Sequence, residues 1–219
     1  MSPLNDPRTR RSFPIITILL VVANVLVFAG WQLRTGVDQS VAEAGFLPRE
    51  FTSNPINIWT WSYIFTSMFI HTGWVRLLGN MGFLCFYGRT VEDECGSTRF
   101  LFLYLLCGVA GTLIFTLVHP HGDIPLVGAG GAVSGVIGAY CLDFGAERRT
   151  EWEGRREVET SEFKIVLSCW FGMQVLMLNL EISDQNRSIG SIGMALAALV
   201  GGFLAGAVLV VFFKKWRYE

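Results

Sequence analysis

The amino-acid sequence predicts an all-α, polytopic membrane protein: a bundle of six transmembrane helices with a long external first loop. Three observations predict it. The 219 residues are 52% hydrophobic and only 16% charged, with mean hydropathy +0.46, whereas a water-soluble globular domain carries about 25% charged residues. Uncharged runs long enough to cross a hydrocarbon core of about 30 Å recur along the chain, too long and continuous for barrel strands. Lysine and arginine gather in alternate connections, as the positive-inside rule requires.

The first span, about 14–33, follows Arg8, Arg10 and Arg11. Trp31 and Gln32 close it in place of a small-residue cleavage site, so it reads as a helix and not a cleaved leader. Residues 51–75 are uncharged but contain Asn54, Pro55 and Asn57 beside Trp59, Trp61 and Tyr63. That composition suits an interfacial segment with aromatic belt residues. The second span is then about 71–88, with Arg76 inside it, and the others are about 100–119, 126–142, 165–180 and 190–213. The membrane domain is expected over 14–214, between a cytoplasmic N-terminal tail, 1–13, and a C-terminal tail, 215–219.

With the N-terminus in the cytoplasm, thirteen of the 17 basic residues fall on inside segments. Arg34, Arg49, Arg76 and Arg187 are the outside four. Both termini are therefore expected in the cytoplasm. The outer connection from Arg34 to Ile70 is long enough to need structure of its own. The inner one, 143–164, alternates Glu and Arg around Trp152 and reads as a solvated linker or a surface helix. Short loop elements and the lack of a transit peptide point to a bacterial inner membrane.

Composition also excludes function classes. A net charge of -1 argues against a nucleic-acid partner. The five cysteines have no CxxC spacing and read as small hydrophobes. His119 and His121, flanking Pro120, suit a solvated turn better than a metal site, and neither cofactor nor metal is expected. A transporter would show broken helices with charges at mid-membrane, and only Arg76 is of that kind.

Several ordered motifs carry a family resemblance. Residues 59–104 contain TSMFIH, GWxxLLGNM, VED and a Gly96–Arg99–Phe100 turn, and lead into an LYLLCG run at 103–108. Farther on come VGAGGAVSGVIGAY at 127–140, the W-F-x-x-Q of Trp170, Phe171 and Gln174, and ALVGGFLAG at 198–206. Together they resemble the rhomboid family of intramembrane serine proteases over about 14–211. The resemblance implies a bundle that cleaves transmembrane helices with a Ser on the fourth helix, a His on the sixth, and a His and an Asn on the second holding the oxyanion. No metal takes part.

Residue by residue, the match is degenerate. The nucleophile position is Gly130, which has no hydroxyl or thiol to form an acyl-enzyme. The general-base position is Leu199, which cannot accept a proton. Arg76 stands for the oxyanion-side His, and only Asn80, one helical turn on, matches the pattern. Arg76 has two readings: a side chain snorkelling to the outer interface, or a salt bridge to Glu50, Glu181 or Asp184 that closes the old cavity. Gly131, Ser134, Gly135, Gly138, Gly201, Gly202 and Gly206 form small-residue stripes that let helices approach closely.

The expected function is thus that of a pseudoprotease, not an enzyme. It would bind transmembrane helices of other proteins, among lipids, as an accessory subunit of a membrane complex or as a client-binding chaperone or trafficking factor. The alternative is an active protease with a relocated nucleophile, Ser134, four residues after Gly130. That needs a base within hydrogen-bond reach of Ser134.

Overall fold

A computed structural model describes residues 13–151, 165–176 and 190–213. Most of both tails, the linker after 151, the end of the expected fifth span, and Glu181 and Asp184 lie outside the described residues. Helix α1, Ile15–Thr35, is continuous. Its stretch Val27–Gln32 is π-helical, an insertion that shifts the faces of the two flanking halves against each other. Three short helices follow, α2 (Val37–Ala44), α3 (Pro48–Ser53) and α4 (Ile58–Thr66). They give the long outer connection its own structure. Pro48 opens α3, where its missing N–H costs nothing. Asn57 caps α4 by accepting from Trp59 N at 3.0 Å. Phe46 and Leu126 form an isolated antiparallel bridge, which ties this connection to the segment just before Gly130.

Helix α5 begins as Trp74–Phe83, passes through a π-helical stretch Leu84–Gly88 and continues as Arg89–Cys95. It therefore starts three residues later than expected and runs past 88. Helices α6 (Ser97–Val118), α7 (Gly130–Glu151), α8 (Ile165–Leu176) and α9 (Gly190–Phe213) complete the bundle. Among the described residues three helices are long and apolar enough to cross a membrane: α1, α6 and the Leu196–Phe213 part of α9. Gly130–Leu142 of α7 and all of α8 are shorter apolar helices. Leu19, Leu26, Phe86, Leu117, Val208 and Phe212 stand exposed on outward faces. Water would not tolerate so much apolar surface, and lipid does. No strand is present among the described residues.

Helices α6, α7 and α9 pack backbone to backbone. A β-carbon on Gly202 would run into the carbonyl of Gly131, one on Gly206 into that of Gly135, and one on Gly138 into that of Phe203. One on Gly111 would come within 2.6 Å of the Ala198 carbonyl oxygen. In lipid, where no hydrophobic force drives helices together, this closeness is the main source of association. Around the contact lie Leu103, Tyr104, Val133, Val136, Ile137 and Trp170, all fully buried.

A second device anchors the start of α1. Glu92 is completely buried near the end of α5. One carboxylate oxygen accepts from Ile16 N (3.0 Å) and Ser97 Oγ (2.7 Å), the other from Thr17 N (2.8 Å) and Thr17 Oγ1 (2.7 Å). The first N–H groups of a helix have no partner of their own, and an anion there also meets the positive end of the helix dipole.

Candidate functional site

The site lies where α5, α7, α8 and α9 meet the outer connection. Gly128, just before α7, has φ +105°, a conformation that strains any residue with a β-carbon. Its N–H donates to Ser67 O at 2.8 Å, which fixes the loop. The space left by its missing side chain faces Arg76 and Asn80: a β-carbon there would lie 3.7 Å from Arg76 Nε and 3.8 Å from Asn80 Nδ2. Arg76 thus turns inward, half-buried in the first turn of α5. The late start of α5 puts Arg76 where the chain enters the bundle, and the glycine opposite leaves room for it.

Gly130 and Leu199, the two positions that the sequence matches to nucleophile and base, are brought together. A β-carbon on Gly130 would lie 3.0 Å from Leu199 Cδ2. Leu199 is itself buried, so the isobutyl group occupies the space between α7 and α9. What remains is a cavity of about 30 Å³, whose lining includes Arg76, Gly128 and Gln174 together with Met68, Gly130 and Leu199.

A chain of buried amides backs the cavity. Asn80 Nδ2 donates to His71 Nε2 at 3.2 Å, and Gln174 Nε2 donates to Asn80 Oδ1 at 3.3 Å. His71 Nδ1 contacts Phe69 O at 3.4 Å. These bonds place the proton of a neutral imidazole on Nδ1 and leave Nε2 as the acceptor, already occupied. Gln32 clasps the backbone of His71 on both sides: His71 N donates to Gln32 Oε1 at 2.9 Å, and Gln32 Nε2 donates to His71 O at 3.0 Å. Gln32 Nε2 also donates to Ser40 Oγ at 2.9 Å. Gln32, Asn80 and His71 are all fully buried, and buried amides demand partners.

Gln32→Leu should therefore cost about 2 kcal/mol, because two backbone groups of His71 lose their partners inside the protein. Thermal unfolding in detergent measures it. A change below about 0.5 kcal/mol would mean that the clasp contributes nothing net.

Ser134 lies completely buried on α7 and accepts from the indole Nε1 of Trp170 at 2.7 Å. Trp170 in turn packs edge-on against Phe83, with ring centroids 4.8 Å apart. The W-F-x-x-Q pattern thereby gains a physical meaning: Trp170 bonds α8 to α7, and one turn on Gln174 bonds it to α5. The expectation that His71 opens the second helix is corrected. It sits in the loop before α5, with no exposed surface. Sequence reasoning missed Gln32 as a member of the cluster. The available signal was a glutamine closing an apolar span, a residue that hydrocarbon does not accept unpaired. Among the described residues no group of histidine, cysteine or carboxylate side chains could hold a metal ion.

A helical bundle with outward apolar faces and a polar cluster at the junction of its helices defines a polytopic integral membrane protein with an internal site. Comparison with known proteins names the family. The Rhomboid domain model matches residues 58–216, and the chain belongs to the rhomboid family. It is 31% identical over 208 residues to the "Putative rhomboid protease YdcA" of Bacillus subtilis (strain 168), covering 95% of this chain and 94% of that one. It is 28% identical over 197 residues to "Rhomboid protease GluP" of the same organism, covering 90% of this chain and 35% of that protein. It is also 37% identical over 76 residues to "Inactive RHOMBOID-like protein 8" of Arabidopsis thaliana, covering 35% of this chain and 21% of that protein. The chain spans only 35–42% of the length of several curated relatives, GluP among them.

Proposed function

We propose that this chain is a non-catalytic member of its family. It binds transmembrane helices of other membrane proteins without cutting them, as a client-binding factor or an accessory subunit of a membrane complex. One observation carries the reading: the two positions matched to nucleophile and base are Gly130 and Leu199, so close that a β-carbon on Gly130 would lie 3.0 Å from Leu199 Cδ2, and neither residue has a group able to attack or to take a proton. Apolar contact supports the same view, because the leucine fills space that a hydrated polar pair would need. Six spans, with Arg76 and Asn80 near the outer face and both termini in the cytoplasm of a bacterium, complete the proposal.

The second reading, a protease that uses Ser134, is favoured by the names of the relatives YdcA and GluP. Against it stand the indole that already occupies Ser134 and the acceptor nitrogen of His71, which Asn80 already occupies. The proposal is tested by placing a photocrosslinking amino acid on the outward face of α5 or α8, at Leu78 or Leu176, in living membranes. Adducts with single-span proteins at their full uncut mass are the expected result. Adducts only with lipid would defeat it.

A further inference from the structure

We infer that His71, Asn80 and Gln174 form an acid-sensitive latch, which ties the Gln174 end of α8 to α5 and lets it go when the imidazole takes up a proton. The inference stands apart from helix binding and does not depend on it. Geometry carries it. The bonds of the cluster run in one direction: Gln174 Nε2 donates to Asn80 Oδ1 at 3.3 Å, and Asn80 Nδ2 donates to His71 Nε2 at 3.2 Å. That direction needs a lone pair on Nε2, because an imidazolium donates from both nitrogens and accepts at neither. A proton there sets donor against donor. The Asn80 amide must turn over and offer Oδ1 to the ring, and Gln174 then meets Nδ2 and loses its acceptor. All three residues are buried, so water does not readily replace the lost partner.

The rest of α8 is held by groups that do not titrate. Trp170, one turn before Gln174, bonds Ser134 of α7 and packs on Phe83 of α5. Movement is therefore confined to the end that carries Gln174 and Leu176. The side chain of Met173, which lies against Gly79, is flexible enough to follow. The surroundings set how much acid is needed. Burial first, and then the positive charge of Arg76, hold His71 down from the usual 6.5 to about 4, and the Phe69 carbonyl opposes them weakly. Arg76 of α5 is the charged group that faces the ring. Gln32 of α1 grips the backbone of His71, Ser40 of α2 stands behind Gln32, and Gln174 of α8 meets Asn80, all uncharged. The fold thus favours the neutral ring. Its contribution to stability is complete above pH 6.5 and is lost as the pH falls through about 4, where the folded protein takes up the proton.

Spin labels on the purified full chain in phosphatidylcholine nanodiscs test the latch. One pair sits at Leu78→Cys and Leu176→Cys, both exposed positions, with the exposed Cys85 and Cys169 replaced by alanine. The other pair sits on the native Cys85 and Cys169, beside the pinned contact of Phe83 with Trp170. We expect the first distance to lengthen by about 1–2 Å or more, the scale of helix shifts at packed interfaces, with a midpoint near pH 4, while the second stays constant. His71→Gln, which accepts from Asn80 but does not titrate, should abolish the change. Asn80→Asp offers an oxygen to each neighbour without turning over, so it should keep α8 in place throughout. An unchanged first distance in the folded wild-type chain below the midpoint would mean that Gln174 turns over with Asn80 and keeps its bond, which overturns the latch. Lengthening of both distances together, or lengthening that persists in His71→Gln, would overturn it as well. Should His71→Gln not fold, Asn80→Asp decides, and movement of its first pair at the same pH contradicts the inference.

Discussion

Gly206→Leu should unfold the bundle or lower its stability by about 3 kcal/mol or more, the largest loss expected of any single exchange here. A β-carbon alone on Gly206 would collide with the Gly135 carbonyl oxygen and lie 2.6 Å from Gly135 Cα. The obstacle is backbone, which cannot rotate away as a side chain can. Helices α7 and α9 would have to separate, and every dispersion contact along the seam would weaken together. Gly82→Ala is the control, because nothing lies within 4 Å of the β-carbon it would add. It should be neutral or stabilising by up to about 1 kcal/mol. Thermal denaturation of both variants in one detergent checks the pair. Equal melting temperatures would show that α7 and α9 do not meet as described.

Glu92→Ala should be the second most damaging change, at about 3 kcal/mol or more. Four donors from two other segments converge on this one carboxylate. Hydrogen bonds to an ionised acceptor contribute about 1.5–3 kcal/mol each, though not additively, and alanine leaves buried N–H groups without partners. The loss has a local signature. Amide exchange at Ile16 and Thr17 should accelerate far more than exchange at Leu103 in the middle of α6. Uniform acceleration would indicate general destabilisation, and unchanged exchange would show that Glu92 does not hold α1.

Sequence and structure agree where one residue type has one physical use. Apolar runs announced α1, α6 and α9 because nothing else suits about 20 uncharged residues. The small residues of α7 and α9 were legible as close-approach stripes, since glycine repeated on one helix face has little other purpose. The pairing of Gly130 with Leu199 followed from motif register, and the structure brings those two residues into contact. Other features could not be read. Helices α2, α3 and α4 are too short for hydropathy to register. Gln32 and His71 are 39 residues apart and meet only in the tertiary fold, and the π-helical stretch that ends at Gln32 is announced by no local pattern. Glu92 was visible within its VED motif, but its partner Thr17 is 75 residues away. Arg76 was readable as a functional suspect, yet its direction depends on where α5 begins, and helix starts are the least legible feature of a sequence.

The central claim is that this scaffold has no route to peptide hydrolysis. The purified wild-type chain, incubated with a fluorophosphonate probe and with a single-span substrate in the same bilayer, tests it most directly. The account predicts no covalent label on any serine and an uncut substrate, with the variant Ser134→Ala indistinguishable from wild type. Labelling of Ser134, with cleavage that disappears in Ser134→Ala, would contradict it.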